Sequence, residues 1–166
     1  MTASSKRGVN SAFRDAIEEA ECLTWKHGMT AIAASQGRGQ ITAADTRNLL
    51  GGAFIDDDCE HADFGKAKPR WDYVIGYARN NTHVAFFIEV HSAETSEVSK
   101  VAAKLQWLLD YLNRDQQTKL AKLDREIHWV ASGRFNIPKN TPQYRRLKTE
   151  LRKRGLQGPV PQLQLM

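Results

Sequence analysis

Apolar and polar positions change period several times along the chain, and each change marks an element. Ala12, Phe13, Ala16, Ile17, Ala20 and Leu23 recur at helical spacing, with Asp15, Glu18 and Glu19 opposite, so residues 11–27 are expected to form a helix. Ser11 is its candidate cap and Gly28 its stop. Residues 35–40 read as a flexible break. Residues 41–50 read as a short helix ended by Gly51 and Gly52, and an unseen strand has room in 30–55. A polar loop is expected over 56–70. Two strands then follow, Trp71–Ala78 and Val84–His91, joined at Asn80 and Asn81 as an antiparallel hairpin. The near-continuous apolar order of Phe86, Phe87, Ile88 and Val90 suits a central strand buried on both faces. Val98, Val101, Leu105, Leu108, Leu109 and Leu112 make one stripe of a long helix, about 94–113. Residues 126–132 read as a third core strand, closed by Gly133, and 142–154 as a last helix.

The order predicts an α/β fold: a mixed sheet of about four strands with helices on both faces. The length of 166 residues suits one domain over 11–154, with a disordered tail at 1–10 and an irregular tail at 155–166. No apolar run approaches the ~20 residues that span a bilayer, so no membrane partner is expected. The first residues have no apolar core after their charges, unlike a secretory signal. Two cysteines, Cys22 and Cys59, are too few for a disulfide framework and suit a reducing, cytoplasmic setting.

Charge changes the picture at one place. Between Lys139 and Arg154 stand seven basic residues and one acid, Glu150, while the net charge of the whole chain is only +5. Arg145, Arg146, Lys148, Arg152 and Lys153 are therefore candidates to hold the phosphates of a nucleic acid. The plainer alternative is a solvated basic helix face.

Candidate chemistry lies on the hairpin. Glu89 and His91, two apart on a strand, point to the same side. Asp72, at the start of the neighbouring strand, should lie beside them. A carboxylate inside the apolar run FFIEV is costly to bury and needs compensation. A Mg²⁺ or Mn²⁺ ion on Asp72, Glu89 and a backbone carbonyl would provide it. Alternatively, Glu89 and His91 form a buried pair satisfied by each other and by Lys104 or an arginine.

Pro69, Arg70, Trp71 and Asp72, then Phe87 to His91, then a helix carrying Lys100 and Lys104, resemble the PD-(D/E)xK, or restriction-endonuclease-like, nuclease superfamily over roughly residues 11–132. The resemblance implies a core of helix, three-stranded meander, helix and strand. It implies metal binding by Asp72 and Glu89, hydrolysis of DNA or RNA phosphodiesters, and an acid on the first helix (Glu18, Glu19 or Glu21) that sometimes joins the site. His91 stands where the family usually has a lysine. Three outcomes follow: His91 acts as general base or metal ligand, Lys100 or Lys104 takes the lysine's part, or hydrolysis is lost and a non-catalytic module binds nucleic acid or a protein partner. A homodimer or larger complex is compatible with so small a chain.

Other groups carry less. The acidic run from Asp56 to His61 lacks the glycine and spacing of a calcium loop and reads as a solvated loop. Cys22, His27, Cys59 and His61 match no standard zinc spacing. Trp107 and Tyr111 read as packing groups, and Trp71 and Tyr73 as core rather than base-stacking residues.

Overall fold

The computed structural model describes residues 12–33 and 39–166. The expected tail at 1–10, the Ser11 cap and most of the 35–40 break lie outside the described residues. The first helix, α1, covers residues 12–19, shorter than its periodicity predicts. The chain turns at Cys22, with φ at 67°, and enters a two-residue strand, β1 (Lys26–His27), and a single helical turn, α2 (Thr30–Ala33). Next come β2 (Ile41–Ala43), β3 (Leu49–Phe54) and one turn of helix, α3 (Ile55–Asp58). The central hairpin is β4 (Tyr73–Arg79) and β5 (Thr82–Glu94), turning through Asn80 and Asn81, both at positive φ as a tight hairpin turn requires. The long helix α4 (Val98–Leu112) and the single turn α5 (Thr118–Ala121) lead to β6 (Arg125–Asn136). Finally, α6 (Pro142–Arg146) runs on as a π turn (Leu147–Leu151), followed by β7 (Leu156–Val160) and β8 (Leu163–Leu165).

The main sheet has six strands, not about four, in the order β1-β3-β4-β5-β6-β7. The pairings from β1 to β5 are antiparallel, and those of β5 with β6 and β6 with β7 are parallel. The parallel join of β5 to β6 needs a crossover, which α4 supplies. Phe13 and Ile17 of α1, Val101, Leu105 and Leu108 of α4, and Leu147 and Leu151 pack with Phe87, Ile127 and Trp129. Ile75, Phe86, Ile88 and Val130 pack with Ile32, Ile41, Leu163 and Leu165. The three longest helical segments thus share one core, and the other is closed mainly by the parallel pair β2–β8, in place of helices on both faces.

Three local expectations fail for identifiable reasons. Residues 41–50 are not a helix: Gly51 and Gly52 lie inside β3, where a side chain would meet the Lys26 carbonyl oxygen at 2.2 Å and that of Val74 at 2.0 Å. The glycines permit close strand approach rather than ending a helix. Residues 155–166 are not irregular: Leu156, Leu163 and Leu165 are buried, and their strands pair with β6 and β2. The two cysteines are not free thiols: Cys22 and Cys59 form a disulfide, with Cα atoms 5.3 Å apart, tying the turn after α1 to the end of α3. No described helix is long and apolar enough to cross a membrane.

Candidate active site

The hairpin register pairs Tyr73 with Ile88, which sets Asp72 beside Glu89. Asp72 Oδ2 accepts a hydrogen bond from the Val90 backbone N–H at 2.9 Å, fixing the carboxylate across the strand end. Glu89, in the middle of β5, is completely buried. Lys104 comes down from α4 and donates to both carboxylates: to Asp72 Oδ1 at 3.0 Å and to Glu89 Oε1. Glu89 Oε2 is buried and has no hydrogen-bond partner among the described residues. Burial, and next the Asp72 charge, raise the Glu89 pKa well above the usual carboxylate value, against the opposing pull of Lys104. Burial alone would lower the Lys104 pKa, but the two carboxylates outweigh it and hold it above normal. Glu89 and Lys104 therefore both hold their protons more strongly than free side chains do.

His91 extends this cluster toward the start of α4. Its Nδ1 lies 3.7 Å from Glu89 Oε1, and its Nε2 is hydrogen-bonded to Glu97 Oε2. That bond lowers the Glu97 pKa, with Lys100 contributing from 3.0 Å. The ring thus turns Nε2 toward Glu97 and Nδ1 toward Glu89. The His91 carbonyl is held by Trp129 Nε1 at 3.0 Å. Asp72, His91 and Lys104 border a cavity of about 290 Å³ that Asp56 and Asp57 also line.

Among the residues singled out from sequence, Asp72, Glu89, His91 and Lys104 come together. Lys100 is exposed and touches Glu97, not the carboxylate pair. The acids of the first helix segment are engaged elsewhere: Glu18 with Arg14, Glu19 with Lys119 and Glu21 with Arg114. Two contributions escape a reading of the sequence. Asp56 and Asp57, expected in a solvated loop, line the cavity; Arg70 clamps Asp56 through its carbonyl and its carboxylate, both at 2.9 Å. Glu97 reads only as part of the helix start, and its spacing from His91 carries no signal until β5 and α4 are in place. Trp107 and Tyr111 stack with each other, 5.2 Å between centroids, and with Phe64, as packing groups.

The basic residues lie on the last helix. Arg146 is paired with Glu150 at 3.1 Å. Arg145, Lys148, Arg152 and Lys153 are exposed and have no carboxylate partner among the described residues. Among the described residues, no group of three or more His, Cys, Asp or Glu side chains is gathered to hold a metal ion. Comparison with known protein families, curated proteins and solved structures gives no match for this chain.

Proposed function

We propose that this chain is a metal-dependent, nuclease-like phosphodiesterase of the PD-(D/E)xK kind, acting on DNA or RNA. The observation that carries the reading is the buried Glu89 carboxylate, set behind the cavity-lining Asp72 and Lys104, with one oxygen that has no hydrogen-bond partner among the described residues. An apolar strand tolerates such a group only if something offsets its desolvation, and Lys104 engages just one of its oxygens. The element order of α1, the β3–β4–β5 meander, α4 and β6 also agrees with the core that the resemblance implies.

The donor set suits a hard divalent cation: Asp72 and Glu89 would hold Mg²⁺ or Mn²⁺ through oxygen. Such an ion polarises a phosphodiester and lowers the pKa of a bound water. The chain's own residues complete the chemistry. Lys104 offers a fixed positive charge for the negative charge that develops on phosphorus oxygens. His91, oriented by Glu97, accepts a proton at Nδ1. Arg145, Arg146, Lys148, Arg152 and Lys153 would draw in the phosphate backbone with salt-sensitive affinity.

One observation favours a second reading, a non-catalytic module that keeps this fold to bind nucleic acid or a protein. Lys104 itself bridges the two carboxylates. The deciding experiment incubates the protein with labelled single- and double-stranded DNA and RNA in Mg²⁺, Mn²⁺ or EDTA, beside Asp72→Asn and Glu89→Ala. Cleavage that needs metal and disappears in both variants supports the enzyme. Binding without cleavage, unchanged by either substitution, sinks it in favour of the module.

A further inference from the structure

A second cavity, of about 350 Å³, opens between the last helical segment and the β7–β8 connection. It shares no lining residue with the Asp72–Glu89 cavity, and its chemistry is the reverse. Three aspartates line the first. The second has Lys148 and Arg152 on its wall and no acid at all. Neither cation has a carboxylate partner among the described residues, although Lys148 Nζ also lies over the Tyr144 ring, 5.4 Å from its centroid.

The rest of the wall is fixed and mixed in character. The buried His128 ring is locked by a 2.9 Å hydrogen bond to Glu126 and by stacking on Phe86, with centroids 5.8 Å apart. Arg79, 3.1 Å from Glu126, offsets that carboxylate. Pro159 and Val160 supply apolar surface, and Gln157 and Gln162 supply amides. Gly158, at φ +97°, brings the backbone so close that a side chain would meet the Trp129 carbonyl oxygen at 2.4 Å, so the rim is shaped by the sheet itself. The volume falls within the ~300–1,000 Å³ usual for small-molecule sites.

We infer that this cavity is a nucleotide-binding site, in which Lys148 and Arg152 take the phosphate while a base lies along the Pro159–Val160 wall within reach of the Gln157 and Gln162 amides. Two cations alone would suit any phosphate. The apolar wall and the two amides are what favour a base, since an amide can donate and accept along a base edge. A fatty acid would leave those amides facing hydrocarbon. The inference shares Lys148 and Arg152 with the proposed nucleic-acid-binding face but no lining residue with the Asp72 cavity, so it can fail while metal-dependent cleavage stands.

The test is calorimetric titration of the full chain with AMP, dTMP, adenosine and inorganic phosphate. At least one of the nucleotides should bind about tenfold or more tightly than phosphate or adenosine. The double variant Lys148→Ala/Arg152→Ala should weaken that binding by about tenfold or more, while Lys66→Ala/Lys122→Ala, with the same loss of charge outside the cavity, should keep it within about twofold. Asp72→Asn should leave it unchanged. Equal binding of phosphate and nucleotides, equal losses in the two double variants, loss in Asp72→Asn, or no binding of either nucleotide each overturns the inference.

Discussion

Lys104 Nζ sits 3.0 Å from Asp72 Oδ1, although 32 residues separate them along the chain. The contact crosses from α4 to the end of the hairpin and sets the ammonium between two carboxylates, one wholly buried. Removing one partner of a buried ion pair leaves an uncompensated charge and costs about 3–5 kcal/mol. Lys104→Met should therefore lower stability by an amount of this order in urea melts without divalent metal. Under the catalytic proposal, Mg²⁺ or Mn²⁺ then binds better in the variant, whose carboxylates have lost their internal cation. The melting temperature of Lys104→Met should rise with added metal by more than that of the wild type. If neither protein responds, the three groups are a self-satisfied structural unit and the second reading gains.

Glu89 has a distinct pH signature. Its pKa in the folded protein lies well above the ordinary value, chiefly through burial. Between the ordinary and the raised pKa, the unfolded chain has released this proton while the folded chain keeps it. Stability from this group is thus complete below the ordinary carboxylate range and declines as pH rises toward the folded value. Glu89→Gln removes that slope, and Lys104 keeps Asp72 as its partner. The variant should gain on the wild type as pH rises above the ordinary carboxylate range, measured as the difference in unfolding free energy. An opposite trend would mean that attraction to Lys104 outweighs burial.

Much of this site is legible in the sequence, because strand periodicity and hairpin register are short-range facts. Tyr73 opposite Ile88 follows from the Asn80–Asn81 turn alone, and with it the meeting of Asp72 and Glu89. Lys104 is one of two lysine candidates; deciding between it and Lys100 needs the pose of α4 on the sheet. Asp57 and Glu97 are illegible, since each reaches the site from an element whose placement depends on long-range packing. The fold shows the same division. The strong period of Val98 to Leu112 marks α4, whereas β7 and β8 are short, interrupted by Pro159 and Pro161, and stable only beside β6 and β2. The β3 glycines mislead for the opposite reason: their signal is strong, but it reports close strand approach.

The disulfide between Cys22 and Cys59 closes a loop across a separation of 37 residues. Chain-entropy arguments assign a loop of this length about 3–4 kcal/mol. Reduction, or Cys22→Ser with Cys59→Ser, should lower the melting temperature clearly. Because Cys59 directly follows α3, whose Asp56 and Asp57 line the first cavity, reduction should also loosen that wall. Hydrogen exchange is the check: amides of 55–60 should lose protection in reductant before those of β5 do. Equal protection in both redox states would show that Arg70 and the core hold this segment unaided.

Under the proposed function, Glu97 acts on His91 at one remove. Glu97 meets the Nε2 of His91 and does not line the cavity. If its part is to orient the imidazole for proton transfer, Glu97→Ala should lower kcat for metal-dependent cleavage with KM little changed. His91→Ala should cost about 100-fold or more, the usual worth of a general base. Lys100→Ala, which removes a second partner of Glu97, should stay within about twofold of wild type, as exposed pairs contribute little. The decisive comparison is the double variant. When one residue acts only through another, their losses do not add, so His91→Ala/Glu97→Ala should be no slower than His91→Ala alone. Additive losses would mean that Glu97 contributes independently of the imidazole, most directly by supporting the start of α4, and His91 would then have to act without an orienting partner.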